Sequence, residues 1–161
     1  MRWRVLLAPL ILAGSMTAAN ATSTTNTFSI QLTISASCAI SSASSLNFGT
    51  SGVIATAINQ TSTLQVQCTS TTPYDIGLNA GTATGATVTS RKMTSGSNTI
   101  SYSLFSDSGM TTNWGQTIGT DTVSSTGTGG TQSFTVYGQV PAQSTPAPGA
   151  YSDTITVTVT Y

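Results

Sequence analysis

The last nine residues, Asp153-Thr154-Ile155-Thr156-Val157-Thr158-Val159-Thr160-Tyr161, alternate without a break. Ile155, Val157, Val159 and Tyr161 fall on one face of an extended chain and four threonines fall on the other. Successive side chains of a strand point to opposite sides. A period of two in β-branched and aromatic residues therefore specifies a strand with one face made for a core. No turn or polar tail follows, so the backbone is expected to stop while still in the strand. A segment of the same design, Phe28-Ser29-Ile30-Gln31-Leu32-Thr33-Ile34, stands near the other end. Two amphipathic terminal strands suggest strand exchange between subunits, and so assembly rather than catalysis.

Between these ends the same alternation recurs in short runs. Leu64, Val66 and Cys68 alternate with polar residues, as do Tyr74, Ile76 and Leu78, and Ile100, Tyr102 and Leu104. Phe134, Val136, Gly138 and Val140 form a longer run that Pro141 ends. Helical periodicity is hard to find, and Gly, Ser, Thr, Asn and Pro separate the runs. With the terminal segments this gives at least six strands, the pattern of an all-β sandwich. Loops are expected over 41–45, 81–90 and 124–131. Richness in Ser and Thr also fits a disordered stalk, but the regularly placed Phe, Tyr, Trp, Ile and Val argue against one.

The first residues are expected to be a leader. Arg2 and Arg4 precede an apolar run, Val5 to Ala13, and Ala19-Asn20-Ala21 is an A-x-A cleavage site. The run is far shorter than the ~20 residues that span a bilayer. Cleavage after Ala21 leaves Thr22–Tyr161, the right size for one domain. Export places Cys38 and Cys68 in an oxidising compartment, where a disulfide is the default. A bridge closing a loop of this length contributes roughly 3.5 to 4 kcal/mol on the chain-entropy model. It is expected to pin the first domain strand to the second.

Charge narrows the function. The exported chain has two cations, Arg91 and Lys92, and four anions, Asp75, Asp107, Asp121 and Asp153; two minus four gives −2. So few charges build no phosphate-tracking surface, and no nucleic-acid partner is expected. Arg91 and Lys92 read as a solvated pair at a strand edge, where charge discourages uncontrolled pairing. Histidine is absent, so serine lacks its usual base, and only a formal Ser–Lys arrangement through Lys92 remains. The four aspartates show no paired-carboxylate motif. Without histidine, zinc and iron lose their commonest ligand. Asp107-Ser108-Gly109 and Asp121 lack the calcium-loop pattern, so Asp107 and Gly109 read as a turn. No enzyme activity, metal or cofactor is expected. Asn59-Gln60-Thr61 fits a glycosylation sequon but reads as loop chemistry. Trp114-Gly115 reads as an anchor whose indole N–H needs an acceptor, ahead of a sugar-stacking platform.

Several segments, in order, resemble the spore coat protein U domain family. They are Cys38-Ala39-Ile40, Leu46-Asn47-Phe48-Gly49 and Cys68, then Ser90-Arg91-Lys92-Met93, Ile100 to Asp107 and Trp114-Gly115. Val136 to Pro141 and Gly149 to Thr154 complete the series. That family includes subunits of archaic (Csu-type) chaperone–usher pili. The resemblance implies an all-β, incomplete immunoglobulin-like sandwich that lacks its last strand and has an N-terminal donor-strand extension. It divides the chain into a leader (1–21), a donor segment (22–35) and a pilin-like domain (36–161). A periplasmic chaperone would lend the missing strand, and at an outer-membrane usher another pilus subunit would replace it. Phe28, Ile30, Leu32 and Ile34 would be the donor residues. Ile155, Val157, Val159 and Tyr161 would line the acceptor groove and be read by the chaperone. The implied role is a structural subunit of a surface pilus supporting adhesion or biofilm formation, exported through the periplasm. The alternative is a secreted coat-like protein or a self-sufficient β-sandwich binding module.

Overall fold

Alternation becomes strand wherever the chain supplies a neighbouring strand to pair with. The computed structural model describes residues 19–161; the leader read over 1–21 lies, for residues 1–18, outside the described residues. Residues 34–161 form one unit and the residues before them another. The larger unit contains eight strands: β1 (Cys38–Ala43), β2 (Ile58–Cys68), β3 (Pro73–Leu78), β4 (Arg91–Ser95), β5 (Asn98–Phe105), β6 (Val123–Thr126), β7 (Thr131–Val140) and β8 (Val157–Thr160). They form a five-stranded sheet in the order β1-β2-β7-β5-β4 and a three-stranded sheet in the order β6-β3-β8. Every ladder within them is antiparallel. The chain is an all-β sandwich.

The core lies between the sheets and is built from the alternating runs. Leu64, Val66 and Cys68 of β2, Tyr102 and Leu104 of β5, and Val136 and Val140 of β7 face Tyr74, Ile76 and Leu78 of β3. Cys38 and Cys68 are directly opposed on β1 and β2 and joined by a disulfide, with Cα atoms 4.1 Å apart. Trp114 is buried, and its Nε1–H donates to the Ile76 carbonyl at 2.8 Å. Its backbone N–H donates to Leu104 of β5, while the Gly115 carbonyl accepts from Leu78 of β3. The Trp114-Gly115 pair thus laces one sheet to the other.

Five expectations need correction. Residues 41–43 belong to β1, where a register shift between Ile40 and Ser42 lets the edge strand bend. Residues 124–126, expected as loop, belong to β6, because they pair with β3 although no large apolar side chain marks them beyond Val123. Asn59 is in β2, opposite Gln139, rather than in a loop. The final strand begins at Val157 instead of Asp153. Ser152 exchanges two backbone hydrogen bonds with Thr94 of β4, so the chain crosses between the sheets before it joins β3.

The largest departure is Arg91. It is completely buried. Its Nε donates to the Asn79 carbonyl at 2.8 Å, Nη1 to Val88 at 2.7 Å, and Nη2 to Leu78 at 3.0 Å and Trp114 at 2.7 Å. Burial lowers its pKa, opposed by the nearby Tyr102, Asp121 and Asp153. The guanidinium stays charged and satisfies four carbonyls, three of them, Asn79, Val88 and Trp114, outside the strands. Lys92, its neighbour, points the other way and is half-buried.

Replacing Arg91 with methionine keeps the volume but leaves those carbonyls unpaired. Urea denaturation of the oxidised protein is expected to show a loss of about 3 kcal/mol or more. Arg91→Lys should lose nearly as much, since one ammonium cannot span four acceptors set out for a planar fork. A loss below about 1 kcal/mol in both would contradict this role.

Candidate functional site

The sandwich is open along one side. β1 is paired only to β2, and β8 only to β3, so each presents a free edge. The two edges meet across the gap between the sheets. Beside them lies an apolar cleft of about 410 Å³. Its floor comes from both sheets, with Leu64, Leu104 and Val136 from one and Leu78 from the other. Its rim is the chain leaving β1 and the chain entering β8.

The residues of the final alternating run sit on this rim. Ile155, Val157 and Val159 are half-buried and pack against the core, while the intervening threonines are exposed. Ile155 and Val157 line the cleft. Tyr161 follows β8 and is 60% exposed. A strand that is apolar on its inward face yet only half covered has room for another layer beside it.

The connection after β1 closes part of the gap. Leu46 and Phe48 fold over Gly138 of β7; a Cβ there would lie 2.6 Å from a Leu46 methyl. The glycine that interrupts the alternating run of β7 is therefore the seat for two side chains of the same domain. Phe48 also meets Tyr102 edge-on, with ring centroids 6.2 Å apart.

Asp153 holds the lead into β8. Its Oδ1 accepts from the Thr82 N–H at 2.8 Å, the Thr82 hydroxyl at 2.9 Å and the Thr154 N–H at 2.8 Å. Its Oδ2 accepts from the Tyr102 hydroxyl at 2.8 Å. Burial works to raise the Asp153 pKa, but these donors together hold it below the ordinary carboxylate value. Burial first, then the bond to Asp153, pushes the Tyr102 hydroxyl far above its usual range, so it remains a donor. Asp107 forms the expected turn, accepting from the backbone of Thr111 and Thr112, which lowers its pKa. Sequence reasoning did not pick out Asp153 or Arg91 as structural hubs. Their signal lay in parity: Arg91 shares its face with Met93, and Asp153 shares its face with Ile155.

In the N-terminal unit the sequence-predicted strand carries no ladder. No strand is assigned over 19–37. Phe28, Ile30 and Leu32 are 84–86% exposed, and Ile34, at the start of the larger unit, 73%. An alternating segment becomes a strand only when a ladder partner satisfies its backbone.

The sequence profile of the Spore Coat Protein U domain matches residues 24–158. Among solved structures, a similar one is the crystal structure of the CsuC–CsuE chaperone–tip adhesion subunit pre-assembly complex from archaic chaperone–usher Csu pili of Acinetobacter baumannii. The TM-score is 0.57 at 27% identity, over 80% of this chain and 40% of that one. The chain thus spans well under half the length of the solved chain it matches. No curated protein sequence matches it.

The carboxylates give the domain a defined acid response. Both Asp153 and Asp107 have folded pKa values below 3.8, so the unfolded chain binds protons first as pH falls. Their stabilisation is complete above that value and is lost as pH drops through it toward the folded values. Urea midpoints are expected to be flat from neutrality to about pH 5 and to fall below about pH 4. Asp153→Asn should flatten part of that acid limb; an unchanged limb would remove Asp153 as its source.

Proposed function

The chain belongs to the Spore Coat Protein U domain family, and from that membership we propose that it is a structural subunit of a surface pilus, assembled by donor-strand exchange. The observation that supports this best is the open side of the sandwich: two free strand edges, an apolar cleft and a half-covered row of β-branched residues. An exposed alternating segment of matching design supports it from the other end.

In this reading residues 22–35 of one molecule are the donor and residues 36–161 of the next are the acceptor. Phe28, Ile30, Leu32 and Ile34 enter the groove, and Ile155, Val157, Val159 and Tyr161 receive them. Seven residues at ~3.3 Å each span about 23 Å, enough to cross a sandwich. Burying four such side chains contributes at most roughly 6 to 12 kcal/mol, before the arm's ordering is subtracted. Ladder bonds to the free edges add to this. Before assembly a periplasmic chaperone covers the same groove with a strand of its own, and an outer-membrane usher is where the exchange takes place. The chain is exported, crosses the periplasm and ends on the cell surface, where the fibre serves adhesion or biofilm formation. The role is structural, with no catalysis.

Two double substitutions separate the ends. Ile30→Asp with Leu32→Asp puts charge where donor residues must be buried, so fibres are expected to fail while chaperone binding persists. Val157→Asp with Val159→Asp spoils the groove, so both should be lost. Gel filtration with the co-expressed chaperone and electron microscopy for fibres read the two outcomes. Normal fibres from the arm variant would end the strand-exchange reading.

The arm should also be mobile until it finds its groove. In the chaperone-bound subunit, amides of residues 22–34 are expected to exchange at nearly unprotected rates. Strong protection there would count against the donor role.

A further inference from the structure

Asp153 is the only charged residue among those that line the cleft. A carboxylate beside an apolar groove is poorly placed to attract an apolar strand, so its use lies in what it holds. Its donors come from distant segments: the Tyr102 hydroxyl from β5, and the Thr82 N–H and hydroxyl from the connection that follows β3. The site is built tightly around the carboxylate. Gly81 has a φ of +88°, and a Cβ there would lie 1.9 Å from Oδ2, so the backbone can approach only as glycine.

Neighbouring bonds fix the same stretch. Ser152 is tied to Thr94 by backbone bonds of 2.9 and 3.1 Å. The Thr156 N–H donates to the Asn79 side chain at 2.9 Å, and the Asn79 N–H donates back to the Thr156 carbonyl at 3.1 Å. Residues 152–156 are therefore held at three points, with Asp153 the only one whose bond reaches the cleft wall. That wall is the Tyr102 ring, with Phe48 resting on it.

An apolar cleft tends to close on itself wherever no strand fills it, because its walls gain by meeting each other as they would gain by meeting a strand. Hydrogen bonds to a charge are directional and strong, and resist that movement. We propose that Asp153 is the positioning residue of strand capture, fixing the spacing between Tyr102 and the lead into β8 so that the cleft keeps the shape an incoming strand needs. This rests on the donor-strand reading above. Loss of the carboxylate lowers the population of the open cleft, so more strand is needed to fill it, while the step after engagement is untouched.

The test uses the mature chain in complex with its co-expressed chaperone and a fluorescent peptide of residues 24–36. Capture rates are measured across peptide concentrations for wild type, Asp153→Ala, Asp153→Asn and Tyr102→Phe. Asp153→Ala is expected to raise the half-saturating concentration about tenfold, with plateau rate and amplitude retained. Asp153→Asn, which keeps an acceptor oxygen, should recover part of the loss. Tyr102→Phe should act in the same direction, and adding it to Asp153→Ala should change little further. A wild-type half-saturating concentration in Asp153→Ala, or a loss confined to amplitude, overturns the proposal. If Asp153→Ala yields no folded complex, wild-type values in both Asp153→Asn and Tyr102→Phe overturn it. If the wild-type complex captures no peptide at any concentration, the donor-strand reading fails instead.

Discussion

Arg91 is a cation inside an apolar sandwich, and the arrangement around it would not exist without it. The carbonyls of Leu78, Asn79, Val88 and Trp114 all converge on one guanidinium. Leu78 closes β3 in the smaller sheet, Arg91 opens β4 at the margin of the larger one, and Trp114 belongs to the long connection between β5 and β6. A planar fork with several donors can gather acceptors from three separate segments, which no apolar side chain can do. Desolvating the charge is unfavourable, and the acceptors offset it only as a complete set. The group is therefore cooperative: loss of the guanidinium would leave all four carbonyls unpaired at once.

That cooperation matters more here than in a closed sandwich. Where a final strand fills the gap between two sheets, apolar contact along the whole seam holds them together. In this domain the seam beside β1 and β8 is open, and the sheets are joined elsewhere. Trp114-Gly115 bonds to Leu104, Ile76 and Leu78 across the interior. Arg91 joins segments of both sheets inside the domain, and the Asp153 cluster ties the lead into β8 to Tyr102 and Thr82. Polar, directional bonds take over where apolar contact is missing, and this lets a partly built core keep its shape.

Much of this was readable in the residues. The inward parity of β2, β3, β5 and β7 follows directly from Leu64-Val66-Cys68, Tyr74-Ile76-Leu78, Tyr102-Leu104 and Val136-Gly138-Val140. The disulfide followed from two cysteines and the expectation of an oxidising compartment. Trp114 proved to be an anchor with its indole N–H satisfied. What stayed hidden depended on partners distant in sequence. Arg91 looked like half of a basic surface pair, because composition says nothing of carbonyls contributed by residues 12 and 23 positions away. The final run looked like one strand from Asp153, because alternation cannot show where a chain passes from one sheet to the other. β6 was missed because Ser and Thr residues carry little periodic signal, and their pairing is imposed by β3.

The burial of Arg91 reaches into how the molecule meets proteases. Within residues 22–161, the bonds after Arg91 and Lys92 are the only ones an enzyme specific for basic residues can cut. Both lie in β4, which is paired to β5 along its length. Such an enzyme cannot nick the folded domain at a loop, and must wait for β4 to come away from the sheet. Its cleavage rate therefore reads the opening of the sandwich itself. The same residue that gathers the core thus also withdraws one of the two basic cleavage points of residues 22–161 from reach.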